Sequence, residues 1–256
     1  MRSATTSPPA SRPTACTVER RPWLRWPRNA AQALDQLGVT VGGLYQCDEA
    51  SGDLRESDGG TSLTATSGPA YLAHAGPRRG VGYPAYGSKH AANTASVGLS
   101  SAVFAVAVSP HAAAAGTLPG YMVRSDTGIG QYTFGIYGQG AASGLGWTVI
   151  ARSAGAYVAV GELTTMAGGD WLIVGQIDRA ASVLRGLLVT SAGRVVDTSA
   201  SVAAIGTVEG GTMNLFLGGG GICTGGMAVG GALWFTGAQA EGADLPRLLA
   251  RRLGAL

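Results

Sequence analysis

The chain has 256 residues, enough for one large β domain with extensions. Charged residues make up 13%, about half the usual share for a globular protein, while apolar residues reach 46% and glycines number 42. That apolar share excludes disorder of the body of the chain. The many glycines exclude long helices, since each interior glycine costs about 1 kcal/mol against alanine. Short apolar runs between glycine-rich turns are typical of an all-β chain.

The first 28 residues form an arm that differs in charge from the rest. The arm holds six arginines against Glu19 alone, a net charge of +5, while the whole chain carries +3. Prolines at positions 8, 9, 13, 22 and 27 favour an extended backbone, because proline fixes φ and removes a donor. Two tryptophans between arginines predict docking into pockets on a partner or on the body, with a disordered tail as the alternative. The predicted docking residues are Arg20, Arg21, Trp23, Arg25, Trp26 and Arg28.

Targeting and cysteine signals are absent from the sequence. Ser, Thr and Pro follow Arg2 where a secretion signal would have an apolar stretch. No run reaches the roughly 18 apolar residues of a transmembrane helix. Cys16, Cys47 and Cys223 are far apart and form no C-x-x-C pair, so neither a disulfide framework nor a zinc site is predicted. We expect a soluble protein made in the cytoplasm, with no membrane partner.

After the arm, the patterns predict a short helix, a series of strands and a second helix. Residues 29–37 form the first helix, capped by Asn29 and ended by Gly38. Gly193 marks a hairpin turn, and residues 244–253 form a last helix capped by Asp244. The strands are predicted near 41–47, 61–66, 95–108, 120–126, 130–138, 146–152, 156–161, 170–178, 182–190, 193–197, 213–218 and 230–236. The chain thus divides into the arm (1–28), a short helix and linker (29–40) and one domain (41–256).

Several segments resemble, in the same order, a laminin-G-like (concanavalin A-like) jelly roll. The opening motif is LYQCDEASGDL at 44–54, followed by SDGG at 57–60 and SLTAT at 62–66. Later matches are GDWLIVGQIDR at 169–179, the hairpin at 184–199, NLFLG at 214–218 and GALWFT at 231–236. The resemblance covers roughly residues 41–253. It implies an all-β, two-sheet antiparallel jelly-roll sandwich, a fold that usually serves binding or structure.

The same family resemblance raises the question of a calcium site. Asp48, Glu49, Asp53 and Asp58 cluster in one loop region, and calcium needs several oxygen ligands at once. However, the hairpin turn at 191–193 lacks the family's aspartate, and the last strand has Leu-Trp-Phe where the family often has an acidic residue. We interpret the carboxylates as solvated turn residues, with calcium as the alternative, and predict no cofactor.

Local patterns for catalysis are missing. Glycosidases need two carboxylates flanking the scissile bond, and the nearest match, Asp53-Leu-Arg-Glu56, lies in a turn. His74, His90 and His111 are isolated, so each is interpreted as a satisfied or exposed histidine. These observations predict that the chain is not an enzyme.

Sugar binding needs aromatic faces and polar groups on one sheet surface. In the predicted strand at 130–138, Phe134 and Ile136 share one face, which we expect to point into the core. Tyr137 and Gln131 fall on the opposite face. Tyr137, Gln131 and Arg124 are therefore the candidate glycan-binding residues, with core packing of the tyrosine as the alternative.

Two functional hypotheses follow from these patterns. The first is a non-enzymatic structural or adhesion module, most plausibly a bacteriophage virion protein such as a capsid decoration or tail component. It would dock through its arm onto other structural proteins of an assembly and form homo-oligomers. The second is a lectin-like, polysaccharide-binding module at a cell or secreted surface. Nucleic acid is the less favoured partner, because the prolines and tryptophans of the arm indicate docking to protein.

Overall fold

The protein is a two-layered β-sandwich. The structure, a computed structural model, describes residues 30, 32, 40–57, 60–66, 68–73, 79–83, 89–94, 101–110, 121–125, 132–141, 144–153, 155–162, 170–205, 213–218, 227–236, 244–253 and 255–256. Within these ranges the chain forms fifteen strands, all paired antiparallel, and one C-terminal helix. The predicted all-β class and two-sheet antiparallel sandwich are confirmed. No described helix is long and apolar enough to cross a membrane.

The strands and helix have the following bounds. In chain order they are β1 (Thr40–Tyr45), β2 (Thr64–Thr66), β3 (Ala70–Ala73), β4 (Arg79–Gly82), β5 (Lys89–Thr94), β6 (Ser101–Pro110), β7 (Tyr121–Ser125), β8 (Tyr132–Ala141), β9 (Gly144–Ser153), β10 (Ala156–Glu162), β11 (Trp171–Asp178), β12 (Val183–Thr190), β13 (Val195–Ser201), β14 (Met213–Gly218), β15 (Met227–Thr236) and helix α1 (Leu245–Arg252). One sheet has eight strands in the order β13-β12-β11-β6-β15-β4-β3, with β1 also paired to β15. The other has seven, in the order β10-β9-β8-β7-β14-β5-β2.

Strand β11 shows how residue alternation builds both faces of the eight-stranded sheet. Trp171, Ile173 and Ile177 belong to the core between the sheets. Leu172 and Val174 belong to a second apolar cluster, which also contains residues of helix α1. Successive strand side chains point to opposite faces, so a strand with apolar residues on both of its faces serves a sheet covered on both sides.

A pair of glycines lets the two sheets approach closely near the middle of the core. Gly175 and Gly186 are cross-strand partners on β11 and β12. A Cβ added at Gly186 would lie 2.8 Å from Trp147 Cζ3, and one at Gly175 would lie 2.8 Å from Val149 Cγ1. Both clashing side chains come from β9 of the opposite sheet. The missing side chains therefore provide the space that the fully buried Trp147 occupies.

Helix α1 covers the outer face of the eight-stranded sheet. Its Leu245 and Leu249 are buried against that face. The predicted side-chain cap by Asp244 is wrong, because this residue makes no capping hydrogen bond. Its carboxylate instead faces Arg185 of β12, with Oδ1 3.7 Å from Nη2. An ion pair with a strand thus takes the place of a cap in holding the start of the helix.

The described strands agree with most of the predicted ones. The predicted hairpin at Gly193 is also confirmed: Gly193 has a φ of +84°, and its backbone N–H donates to Thr190 O at 2.9 Å. The prediction omitted β3, β4 and β5. These strands are short, and β5 (KHAANT) has few of the β-branched and aromatic residues that mark strands in a sequence. Pairing with β14 and β2 makes it a strand. The arm and the proposed domain boundaries stay predictions, since residues 1–28 lie outside the described ranges.

Candidate binding cleft

The acidic turn after β1 is a built structure anchored on two leucines. Leu54 and Leu63 are fully buried and face each other in an isolated antiparallel bridge. Leu54 N–H donates to Leu63 O at 3.0 Å, and Leu63 N–H donates to Leu54 O at 2.9 Å. A second bridge joins Tyr45 to Glu56. The loop is therefore tied to the sandwich at both ends.

Three carboxylates in this loop accept hydrogen bonds from backbone amides. Glu49 Oε1 accepts from Arg55 N–H at 2.7 Å, and Asp53 Oδ1 accepts from Ala65 N–H at 2.9 Å. The buried Glu56 accepts through both oxygens, at 2.9 Å from Leu44 N–H and 2.8 Å from Gly60 N–H. Hydrogen bonds to an ionised acceptor are roughly twice as strong as neutral ones. These acids thus help to hold the backbone of the turn in shape, and Asp48 and Asp53 are exposed, as predicted for solvated turn residues.

The calcium hypothesis stays a prediction. Across the described ranges, no three His, Cys, Asp or Glu side chains come together in a group that could hold a metal ion. Asp58, one of the four proposed ligands, lies outside those ranges. Glu49 and Asp53 each direct one oxygen to a backbone amide.

Burial keeps two potentially reactive groups of this loop protonated. The Tyr45 hydroxyl donates to Thr61 O at 2.9 Å, and burial, with the nearby charge of Glu56, raises the pKa of this phenol well above its usual range. Cys47 is fully buried, and burial, with the charges of Glu49 and Asp48, raises the pKa of its thiol. A neutral thiol is a poor nucleophile, so Cys47 acts as a small core residue.

His90 connects the tip of the loop to the seven-stranded sheet. This fully buried residue has Nε2 3.1 Å from Gly52 O and Nδ1 2.9 Å from the Tyr83 hydroxyl. A carbonyl oxygen only accepts, so Nε2 carries the proton and Nδ1 accepts from Tyr83. Burial lowers the pKa of His90, against the raising effects of its bond to Gly52 and of Glu49 and Asp53. The ring is a neutral link, which agrees with the prediction of a satisfied histidine.

These contacts frame an open cleft of about 790 Å³. Its lining combines hydroxyl, amide, carboxylate and guanidinium groups, and Gln46 Nε2 donates to Ser57 Oγ at 3.2 Å across it. The Oε2 atom of Glu49 is buried and has no hydrogen-bond partner. The lining residues are Gln46, Asp48, Glu49, Ala50, Ser51, Gly52, Asp53, Arg55, Glu56, Ser57 and Ser62. The sequence showed the acidic turn but gave no sign that it encloses a cleft, because the path of a loop in space cannot be derived from a local residue pattern.

The predicted site residues lie elsewhere in the chain. Arg20, Arg21, Trp23, Arg25, Trp26, Arg28 and Gln131 are outside the described residues. Tyr137 and Arg124 are described by their backbones alone. Tyr137 is registered with Thr148, and Arg124 with Thr133. Because Thr133 and Tyr137 are four residues apart on β8, roughly 13 Å of strand separates the two positions. The glycan-binding role of these residues remains untested.

Comparison with known proteins shows similarity in structure but not in sequence. No protein-family model matches the chain, and no curated protein matches it. A Trypanosoma rangeli sialidase, solved in complex with a difluoro-KDN compound, aligns with a TM-score of 0.54 at 10% identity over 82% of this chain and 32% of that chain. The receptor-binding domain of botulinum neurotoxin D aligns with a TM-score of 0.53 at 10% identity, over 83% of this chain and 52% of that chain. A tailspike protein of an Escherichia coli O157:H7 bacteriophage gives a TM-score of 0.45 at 12% identity, over 64% and 24%.

The first two similarities establish a shared β-sandwich fold. The chain spans about a third of the sialidase and about half of the toxin domain. The laminin-G-like resemblance is thereby supported at the level of a β-sandwich, while membership of that particular family stays a prediction.

The prediction that the chain is not an enzyme is contradicted by the sialidase similarity. A sialidase is an enzyme, and the alignment with it covers 82% of this chain. The prediction rested on missing local motifs such as paired acids on one strand. Catalytic groups that are contributed by separate strands leave no such motif, so their absence from the sequence does not separate this fold from enzymes.

Proposed function

We propose that this protein is an adhesion module that binds carbohydrate in the cleft of the acidic turn, which is lined by residues of segment 46–57 and by Ser62. The observation that carries the proposal is the cleft itself, about 790 Å³ in volume and lined by polar groups. This volume falls within the range of small-molecule sites, and a polar lining suits a ligand rich in hydroxyl groups. The sialidase similarity supports the proposal at the level of fold, since that protein was solved with a sugar-derived ligand.

The charges of the cleft favour a neutral or amine-bearing sugar. Four carboxylates line it, against the single guanidinium of Arg55. A surface with this excess of negative charge repels anionic ligands. We therefore propose that the ligand is neither a sialic acid nor a phosphorylated glycan, so the sialidase similarity supports a carbohydrate ligand but not an acidic one.

The rigidity of the cleft and its chemistry together set the strength of binding. The loop is fixed before the ligand arrives, by the leucine bridge, the carboxylate–amide bonds and His90, which lowers the entropy cost of binding. No aromatic side chain belongs to the eleven lining residues, so the ligand would be held by hydrogen bonds without stacking. We expect weak binding at a single cleft and strong binding only when several copies act together.

Glycan-array binding of the full chain, followed by titration of each positive ligand, tests this proposal. We expect neutral glycans to bind and Arg55→Gln to weaken binding by about tenfold or more, since it removes the cation of the cleft. Arg152→Gln is the matched control, because Arg152 is exposed and lies on β9, away from the cleft lining. Loss of binding on Tyr137→Ala with full binding by Arg55→Gln would move the site to the sheet face and contradict the proposal.

A second candidate function concerns assembly. The sequence hypothesis of a bacteriophage virion protein, a capsid decoration or tail component, is supported by the arm's two tryptophans among arginines. Docking through the arm and carbohydrate binding by the body are compatible, because they use different parts of the chain. We propose the virion as the setting in which an adhesion module of this kind acts after synthesis in a host cytoplasm.

A further inference from the structure

Among the described residues, strand β10 is an edge of the seven-stranded sheet, and its own sequence lacks the usual protection against pairing. Within the described part of the chain, it pairs with β9 alone. Natural edge strands carry lysines, prolines or bulges, or are kept very short. β10 has seven residues and none of those features. Its one charged residue, Glu162, is engaged by an ion pair with Arg194.

Exposed apolar side chains are concentrated on the side of the sandwich that β10 forms. Among the described residues, the large hydrophobic side chains that are exposed are Tyr157 at 58%, Val195 at 40% and Leu256 at 45%. Leu256 follows helix α1, whereas Tyr157 is on β10 and Val195 begins β13. β13 is the edge of the other sheet and packs against β10. Two edge strands and two exposed apolar residues thus share one side of the molecule.

We propose that this side binds a second copy of the same chain, by antiparallel pairing of β10 with its symmetry mate. The partner is a second copy because antiparallel pairing about the strand midpoint, Ala159, matches the exposed Tyr157 with a glycine and opposes no like charges. Pairing all seven residues places Ala159 opposite Ala159 on the two-fold axis and sets Tyr157 opposite Gly161 of the second copy. A dyad of this kind is the commonest symmetry of protein oligomers.

The side chains fit this register. Tyr157 and Ala159 are exposed on the outer face, and Gly161 shares their alternation. Gly161 has a φ of +148°, and a Cβ there would lie 2.2 Å from Trp147 O, so this position is restricted to glycine. The tyrosine ring of one copy would lie over the bare backbone at Gly161 of the other, an arrangement that stabilises strand glycines. On the inner face, Val158 would meet Val160 and extend the core.

Electrostatics also permit the pairing. From 156 to 161 the strand is uncharged, and the register places Glu162 opposite Ala156 of the second copy rather than opposite another acid. The result is one sheet that continues across the dimer and carries two clefts. A bivalent particle of this kind would raise the avidity of weak single sites, although the dimer itself does not depend on what the clefts bind.

The test is the mass of the full chain in solution, by light scattering or sedimentation, for the wild type and three variants. We expect the wild type to have twice the chain mass of 25.7 kDa. Ala159→Lys should weaken dimerisation by about tenfold or more, because it sets two like charges opposite each other on the axis. Thr64→Lys is the matched control, since Thr64 is exposed on β2, the opposite edge of the same sheet, and it should stay dimeric.

The decisive step is charge complementation. Ala159→Glu should be monomeric alone, and an equimolar mixture with Ala159→Lys should restore the dimer, because each axis then carries an opposite pair. Restoration also shows that both variants are folded. A monomeric wild type would overturn the proposal. So would a dimer that Ala159→Lys leaves unchanged, because its interface would then lie elsewhere.

Discussion

At the scale of single residues, His90 holds together parts of the chain that lie 38 positions apart. Its Nε2–H donates to Gly52 O, and in the neutral ring its Nδ1 accepts from the Tyr83 hydroxyl. Burial disfavours the charged form of the ring and lowers its pKa. A neutral imidazole therefore links the tip of the loop to Tyr83.

We expect stability to fall with acidification through the titration of His90. Its pKa is lowered from the ordinary value of 6.5 in the folded state, so below pH 6.5 the unfolded chain takes up a proton that the folded chain does not. The unfolded state is thus favoured as pH falls, by at most about 1.4 kcal/mol per pH unit. Glu49 and Asp53, the acids nearest the ring, oppose the shift and reduce its size. Urea unfolding at a series of pH values measures it.

His90→Gln provides the comparison for that experiment. We expect the variant to be less stable at neutral pH, and its stability should depend less on pH below 6.5, where the unfolded wild-type chain takes up the proton. An equal pH dependence in the variant and the wild type would show that His90 does not contribute.

At the scale of elements, helix α1 is held on the sheet by a network of charges around Asp197. Arg185 of β12 donates to this carboxylate through Nε at 2.9 Å and Nη2 at 2.8 Å. Arg247 of the helix donates to its Oδ2 at 2.6 Å. Asp197 is only 15% exposed, and these bonds, the one from Arg185 first, lower its pKa. The carboxylate therefore links three elements, β12, β13 and α1.

Asp197→Asn should destabilise the fold by about 1–3 kcal/mol, since it leaves two arginines without their shared acceptor. The lowered pKa means that the contribution of Asp197 is present at neutral pH and is lost as pH falls below its ordinary value of 3.8. Chemical denaturation at neutral pH measures the loss. Asp48→Asn, a change at an exposed aspartate, serves as control and should cost much less. Equal losses in both variants would contradict a special role for Asp197.

At the scale of the whole molecule, the body and the arm are expected to act separately. The body closes its own core, with residues of both sheets in one cluster and helix α1 over the outer face. The arm is rich in arginine and proline, a composition suited to docking on something outside the body. We therefore expect the arm to have no binding partner in the purified protein.

Trypsin cleavage of the purified protein tests that separation. We expect rapid cleavage after Arg25 and Arg28 and a resistant body that keeps its unfolding midpoint and its ligand binding, because exposed polar segments are the preferred sites of proteolysis. The variant with Trp23→Ala and Trp26→Ala is the control and should be cut at the same rate. If the wild type is protected and the variant is cut, the indoles fill pockets on the body, and docking of the arm onto a partner is contradicted.

The sequence by itself determined those features that depend on neighbouring residues. It predicted a strand near 170–178, which the structure has as β11, and a hairpin at Gly193, because strand preference and positive φ are local properties. It failed at β5 and at the Asp244 cap, where pairing with β14 and attraction to Arg185 outweigh local preference.

Only the tertiary structure decided where the chemistry lies. The acids of the opening turn were visible in the sequence, yet their pairing with amides, their link to His90 and the cleft they enclose arise from contacts between distant segments. The same is true of β10, whose pattern predicts a strand but does not say that it lies at an edge. Sheet order is set by long-range pairing, so whether a strand is covered or open for a partner is a property of the fold.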